Sequence, residues 1–198
     1  MNTTADPPLS FVRNGVRLLT IADVAVFPDQ LPSGPVRYEL HDGRLVVLPP
    51  STYACSRAQA HFAAYLFTRS EEVGRGRVYG RVGIVLRRNP DHLRAPDAAF
   101  LAAARIPPDT SPEDFLVTIP ELVVEVRSKN DTQPEIDTKV SDYLAAGVVL
   151  VWVADPDART VTAYQANQPP AVFAATDTLT ALPVIPSLAV LVGDLLPV

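Results

Sequence analysis

The feature that constrains the fold most is the apolar run VVLVWVAD at residues 148 to 155. A strand that is apolar at nearly every position, rather than at alternate ones, is typical of the interior of a sheet covered on both faces. The longest apolar stretch around it, Ala145 to Ala154, is about half the ~20 residues needed to span a membrane. The run therefore predicts a buried central strand and no membrane partner.

The composition is that of a globular domain of medium size. The chain has 198 residues, of which 47% are apolar and 20% charged. A single cysteine, Cys55, excludes an internal disulfide framework and a multi-cysteine zinc site. The N-terminal sequence MNTTADPPLS lacks the charged and apolar regions of a signal peptide. We therefore expect a soluble, cytoplasmic protein.

Prolines separate the start of the chain from the rest. Residues 1–35 contain five prolines, and Thr20 with Asp23 forms a capping signal for one short helix. We expect residues 1–35 to form an arm and residues 36–198 a single domain. That domain opens with VRYELHDGRLVVL, which predicts two strands joined at Asp42-Gly43, a dipeptide suited to the positive φ angles of a tight hairpin turn.

Helical and alternating patterns follow one another along the domain. Apolar spacing predicts a helix over residues 53–70 and a second over residues 134–146, which ends at Gly147. Strands are expected over residues 77–86 as one stretch, around residues 96–100, at ELVVEVRS (residues 121–128) and over residues 159–165. This order predicts a mixed α/β (α+β) domain with one central β-sheet flanked by helices.

Positive charge is concentrated in one segment. The formal net charge of −5 argues against an overall basic surface, yet residues 75–94 contain six arginines and a single acidic residue, Asp91. A nucleic-acid-binding surface can be local in this way. A solvated surface face is the alternative. The candidates for contacts with DNA phosphates are Arg75, Arg77, Arg81, Arg87 and Arg88.

Two carboxylates occupy positions where an unpaired charge is costly. Glu125 lies within a strand of valines that predicts burial, and Asp97 begins the strand after Pro96. If the two strands are neighbours, the carboxylates repel each other unless a cation or a proton intervenes. Hard divalent ions such as Mg²⁺ favour such oxygen pairs. Arg127 lies two residues after Glu125, so we expect its side chain on the same face.

The second helix carries a lysine near its apolar stripe. Ile136, Lys139 and Tyr143 share one side of that helix, which places Lys139 on or beside the face that packs on the sheet. The alternative is an exposed flank with a buried aliphatic stem. Tyr143 itself is the type of residue expected in the core.

Taken together, six motifs resemble the Uma-type restriction endonuclease family, a branch of the PD-(D/E)XK nuclease superfamily. The similarity spans about residues 20 to 196. It rests on these elements in order: YELHDGRLVVLPP, His61 in the next helix, PDAAF, ELVVEVRS, the K-x-x-x-Y-x-x-x-G pattern from Lys139 to Gly147, and VWVADP. Each motif is weak alone, whereas six in the family's order and spacing form a fairly specific signal.

The resemblance implies a restriction-endonuclease-like core and assigns site residues. Asp97 matches the aspartate of the PD motif and Glu125 the acidic residue of E-x-K, and both would be metal ligands for Mg²⁺ or Mn²⁺. Arg127 replaces the usual lysine, whose role in this branch points to Lys139. Glu39 matches a further acidic position, although it could instead be a strand residue facing an arginine on the same hairpin.

The leading functional hypothesis is a metal-dependent endonuclease that hydrolyses DNA phosphodiester bonds, with Lys139 or Arg127 stabilising the transition state. A catalytically inactive nuclease fold kept as a binding or regulatory module is the second hypothesis, and a hydrolase of another phosphate ester is the third. Double-strand cleavage by a domain with one site needs two copies, so we expect a homodimer. Its surface would come from the arm and the apolar tail SLAVLVGDLLPV.

Overall fold

The computed structural model describes residues 12–13, 16–32, 34–108 and 115–197. Its first half contains these elements: β1 (Val12–Arg13), β2 (Val16–Arg17), α1 (Ile21–Val24), β3 (Gln30–Leu31), β4 (Gly34–Pro35), β5 (Arg37–His41), β6 (Arg44–Leu48), α2 (Tyr53–Leu66, continued by a π-helical turn, Phe67–Glu71), β7 (Gly76–Gly80), β8 (Ile84–Arg87) and β9 (His92–Arg94).

The second half follows with these elements: β10 (Ala98–Ala102, then a 3₁₀ turn, Ala103–Arg105), β11 (Leu122–Val126), α3 (Gln133–Ala146), β12 (Leu150–Asp155), β13 (Thr160–Tyr164), β14 (Ala171–Ala174), β15 (Thr178–Ala181), β16 (Ile185–Leu191) and α4 (Val192–Leu195). No helix within the described ranges is both long enough and apolar enough to cross a membrane.

A mixed six-stranded sheet forms the centre of the molecule. Its strand order is β14-β13-β12-β11-β10-β7, with β11 and β12 parallel and the other pairs antiparallel. Val124 and Trp152 belong to the core on one face, which includes α2, whereas Val123 and Val151 belong to the core on the face of α3. The predicted fold class, a central mixed sheet flanked by helices with an interior strand at VVLVWVAD, is confirmed.

A second, four-stranded sheet packs beside the first, in the order β6-β5-β9-β8. The β5–β6 hairpin turns at Asp42 and Gly43, whose φ angles are 54° and 76°, as the Asp-Gly dipeptide predicted. The described part of the arm contributes to the core of this sheet, because Ile21 and Val24 of α1 are buried against it.

One strand prediction is wrong. Residues 77–86 are not a single strand, because the chain leaves the extended conformation at Arg81, which has a φ of 57°. β7 therefore pairs with β10 in the central sheet, whereas β8 pairs with β9 in the second sheet. At Gly83, a Cβ atom would lie 2.6 Å from the Phe115 ring, so only a glycine fits this crossing without displacement.

Two helix boundaries follow predicted signals, Gly147 at the end of α3 and Thr20 at the start of α1. Gly147 ends α3 in the left-handed conformation at a φ of 103°, and a capping box that was not predicted, Thr132 with Glu135, begins the same helix. α3 begins one residue before the predicted start. Thr20 and Asp23 cap α1 in the same way.

The apolar tail is part of the domain core. Leu188, Val190, Val192 and Leu195 are buried in the cluster that contains Trp152. The expectation that this tail offers a free apolar surface is therefore wrong, because the central sheet and α2 already cover it. Much of the arm lies outside the described residues.

Candidate active site

Glu125 is held by two side chains of the neighbouring helix. It lies in the middle of buried β11 and is 4% exposed. Lys139 Nζ lies 3.1 Å from Glu125 Oε2, and the Tyr143 hydroxyl donates to Glu125 Oε1 at 2.6 Å. Residues four positions apart share a helix face, so α3 presents both donors to the sheet. Tyr143 is a core residue, as predicted, and also a hydrogen-bond donor that the sequence did not reveal.

Asp97 directly precedes β10, the strand that pairs with the strand of Glu125, β11. Ala98 is opposite Val124 in the register of the two strands. Asp97 Oδ2 accepts a 2.8 Å hydrogen bond from the backbone N–H of Val126, and Oδ1 accepts one of 2.9 Å from Gln59 Nε2 of α2. The sequence therefore brings two buried carboxylates to adjacent strands, as the valine pattern and the PD motif predicted.

Glu39 approaches from the second sheet and is completely buried. It accepts hydrogen bonds from Arg94 Nη1 at 2.8 Å and from the backbone N–H of Ala95 at 3.0 Å, and His41 Nε2 lies 2.9 Å away. Its ion-pair partner is thus Arg94 of β9 rather than an arginine of its own hairpin. From the sequence, Arg94 was expected only to add charge to a basic segment.

Arg94 is the centre of a buried polar network. Its Nε donates to Asp142 Oδ2 at 3.0 Å, and the same oxygen lies 3.0 Å from His92 Nε2. Arg94 also contacts His41, whose ring stacks on that of His92. Asp142 follows Lys139 by three residues on α3, so the network joins β5, β9 and the helix that carries Lys139. The only sequence feature of Arg94 was its place in the basic segment, two residues before Pro96 of the PD motif.

Burial and neighbouring charges shift the pKa values of the three carboxyl groups at the site in different directions. Burial raises the pKa of Glu125 to about 7, against the effects of Lys139 and Tyr143, and the charges of Asp97 and Glu39 add to the rise. Burial also raises the pKa of Asp97. Burial would raise the pKa of Glu39 as well, but the His41 hydrogen bond and the charges of Lys139 and Arg94 lower it to about 2.

Lys139 is a cation at neutral pH. The charge of Glu125 raises the lysine pKa, and Glu39 adds to the effect, although burial opposes both. Its ammonium group is therefore a positive charge that interacts with carboxylates from two sheets.

Comparisons with known proteins decide the family. A family model described as "Putative restriction endonuclease", named Uma2, matches residues 25–195. The chain belongs to the Uma2 family. Its fold also resembles the crystal structure of a protein from Anabaena variabilis ATCC 29413 described as "a putative nuclease belonging to DUF820". The TM-score is 0.75 at 19% identity, covering 90% of this chain and 97% of the other. No curated protein matches.

Arg127 does not join the carboxylates of this Uma2 protein. The Arg127 backbone N–H donates to the Ala154 carbonyl at 2.8 Å, so the pairing of β11 with β12 continues one residue beyond Val126. The Arg127 guanidinium donates to Gln133 Oε1 at 3.3 Å and to the Asp131 carbonyl, and it lies 3.8 Å from Asp155 Oδ2. Arg127 is therefore on the α3 face of the sheet with Glu125, as the strand alternation predicted, but its partners are these three residues.

The five arginines predicted to contact DNA occupy different settings. Arg75 and Arg77 are exposed at the start of the central sheet's edge strand, β7. Arg87 pairs with Asp42, and Arg88 lies 3.5 Å from Asp91. Arg81 differs from the others, because its backbone N–H donates to the Asp97 carbonyl at 3.2 Å.

The donor set suits a hard cation. Asp97 and Glu125 offer carboxylate oxygens, the ligands that Mg²⁺ prefers, and a cation would offset the burial that raises the pKa of both groups. In the described part of the chain, no group of three or more His, Cys, Asp or Glu side chains has the spacing of a metal site. The residues thus fit an ion that keeps several water ligands, such as Mg²⁺ or Mn²⁺, and no all-protein cage.

Proposed function

We propose that this Uma2 protein is a metal-dependent endonuclease that hydrolyses DNA phosphodiester bonds. One observation carries the proposal: two buried carboxylates, Asp97 and Glu125, lie on adjacent strands with raised pKa values, and Lys139 contacts one of them. Membership of a family described as restriction endonucleases supports the same reaction class.

Asp97 and Glu125 would hold Mg²⁺ or Mn²⁺. Such an ion, when bound, lowers the pKa of a water molecule and polarises the scissile phosphate. The protein's part is to fix the two carboxylates. The Val126 N–H and Gln59 orient Asp97, while Lys139 and Tyr143 orient Glu125.

Lys139 would stabilise negative charge that develops on the phosphate. A preorganised cation in a site largely shielded from water is worth more than the same charge in solution. Lys139 is 19% exposed, so its ammonium group can face both Glu125 and a substrate. Glu39, held by Arg94, would keep Lys139 protonated and in place.

The site favours catalysis over a binding-only role. The motives for an inactive module were the net charge of −5 and the arginine at position 127 in place of a lysine. Lys139 supplies a cation to Glu125 from α3 instead. Arg75, Arg77, Arg81, Arg87 and Arg88 would contribute phosphate contacts, whose strength falls steeply with salt.

The experiment is a cleavage assay on supercoiled and linear DNA with Mg²⁺, with Mn²⁺ and with EDTA. We expect metal-dependent cleavage by the wild type and its loss in Asp97→Ala. Glu121→Gln is the matched control, since Glu121 precedes the same strand as Glu125 but pairs with Arg105. Absence of cleavage by the wild type, or equal cleavage by Asp97→Ala, would contradict the proposal.

We also propose that the enzyme acts as a cytoplasmic homodimer, because one site per chain cuts one strand at a time. Light scattering at micromolar concentration should give about twice the chain mass of 21.4 kDa. A clean monomer would refute this part of the proposal.

A further inference from the structure

Two arginines lie close to Asp97. Arg37 comes from β5 of the second sheet, and its Nη2 lies 3.7 Å from Asp97 Oδ1. Arg81 follows β7 of the central sheet, and its backbone N–H donates to the Asp97 carbonyl. The Arg81 guanidinium also interacts electrostatically with the Asp97 carboxylate, so positive charge from two sheets acts on one carboxyl group.

The positive charges of Arg37 and Arg81 are not fully balanced by acceptor groups of the protein. No hydrogen bond or ion pair engages the Arg81 guanidinium within the described ranges. Arg37 donates to the Ala95 carbonyl at 3.2 Å, yet its buried Nε has no partner. The charges of Arg81 and Arg37 lie near enough to interact, so the two cations repel each other.

Asp97 alone does not neutralise them. It already accepts hydrogen bonds from Gln59 and from the Val126 N–H. Two guanidinium groups that share one carboxylate, which is also the proposed metal ligand, are left with donors for an external anion.

The pair lies where two cavities meet. A cavity of about 830 Å³ is lined by α1, β5 and the segment that follows β7, and a second of about 400 Å³ lies against residues 48–51. Arg37 and Arg81 line both cavities. An extended chain could therefore pass over the two guanidinium groups from one cavity to the other.

The geometry points to a phosphate-binding site formed by Arg37 and Arg81, which holds a phosphodiester group of the nucleic acid strand beside Asp97. Guanidinium groups match phosphate oxygens with paired hydrogen bonds, and such contacts fix the position of a strand without selecting its sequence. This inference rests on the proposed function and adds a residue, Arg37, that the basic segment did not include.

The test measures binding without cleavage. A fluorescently labelled DNA duplex is titrated with full-length protein in EDTA, by anisotropy, at several salt concentrations. We expect Arg81→Ala to weaken binding about tenfold and to reduce the slope of log affinity against log salt by about 1. Arg37→Lys should keep the slope and lose affinity, because lysine retains the charge but not the paired geometry.

Arg105→Ala is the matched control, because Arg105 pairs with Glu121 beyond the far end of β10. It should bind like the wild type. The inference would be overturned if Arg81→Ala and Arg37→Lys both bound DNA with the affinity and the salt slope of the control. It would also be overturned if the wild type did not bind DNA. Melting curves of each variant establish that it is folded.

The outcome separates this inference from the proposed function. Cleavage that persists with unchanged binding in Arg81→Ala contradicts the phosphate site alone. Arginine-dependent binding without metal-dependent cleavage by the wild type contradicts the nuclease proposal and leaves the phosphate site supported.

Discussion

At the residue scale, the ionisation of Glu125 couples folding to pH. Its pKa is raised from 4.5 to about 7, mainly by burial. A carboxyl group whose pKa is higher in the folded state stabilises the fold fully below its unfolded pKa, and this contribution is lost as pH rises through the folded pKa. The Glu125 contribution to the free energy of unfolding should therefore fall between pH 4.5 and about pH 7, by roughly 3 kcal/mol in the absence of metal.

Glu125→Gln tests this coupling. The neutral amide keeps the shape, so the metal-free variant should be at least as stable as the wild type at pH 8 and should lack the Glu125 pH dependence. A hundredfold excess of Mn²⁺ over its dissociation constant should add about 2.7 kcal/mol to the wild type, or roughly 5 to 10 °C, and almost nothing to the variant. Thermal melts at pH 5 and pH 8, with Mn²⁺ and with EDTA, measure both effects.

The opposite pattern of stability and Mn²⁺ response would contradict the role of Glu125 as a metal ligand. A destabilised metal-free variant that still gains as much from Mn²⁺ as the wild type would make Glu125 a structural partner of Lys139 and Tyr143. It would then not be a metal ligand.

Lys139 offers a second test at this scale. Lys139→Met should reduce the turnover of DNA cleavage by roughly 10²- to 10³-fold, because a preorganised charge is removed from the site. The acid limb of the pH–rate profile should also move to higher pH, because Glu125 loses the charge that lowers its pKa. Lys139→Arg should recover part of the activity. An unchanged profile in the methionine variant would exclude this role.

At the element scale, Arg94 ties three elements together. It joins β9 to β5 through Glu39 and to α3 through Asp142, and its side chain is 2% exposed. Removing one partner of a buried ion pair leaves an uncompensated charge and costs about 3 to 5 kcal/mol. Arg94→Met should therefore lower the melting temperature by roughly 6 to 20 °C.

Arg87→Ala is the matched control for that substitution. Arg87 lies on the neighbouring strand β8 and also pairs with an aspartate, Asp42, but both side chains are more than half exposed. Exposed pairs contribute no more than about 1 kcal/mol because solvent screens them. Equal melting temperatures for the two variants would contradict the role given to the Arg94 network.

Local signals predicted most elements of this fold. The Asp-Gly turn, the Thr20–Asp23 cap of α1, Gly147 and the apolar β12 each depend on residues close in sequence, and all four are observed. The break at Arg81 was missed because an arginine with a positive φ carries no local signature. Tertiary contacts, including the Asp97 carbonyl bond, hold it there.

At the scale of the whole molecule, the site is assembled from distant parts of the chain. Glu39 belongs to the second sheet, Asp97 and Glu125 to the central sheet, and Lys139 to α3. Motif spacing identified these four residues. Their hydrogen-bond partners Gln59, Tyr143 and Arg94 were not identified as such, because a partner is defined by packing between elements rather than by sequence distance.

The same limit applies to Arg127. Strand alternation predicted the face of the sheet on which Arg127 lies, but not its partners Gln133, Asp131 and Asp155, which come from other parts of the chain. The tail was misjudged for a similar reason: apolar residues near a chain end look like a free surface until the sheet and helix that cover them are known.

Calorimetric titration of the metal-free protein with Mn²⁺ tests the proposed metal centre at Asp97 and Glu125 most directly. We predict one site per chain with micromolar affinity, lost in Asp97→Asn and Glu125→Gln and retained in Glu121→Gln. A wild type that binds no Mn²⁺, or an Asp97→Asn variant that binds it with unchanged affinity, would contradict the claim that these two buried carboxylates form the metal centre.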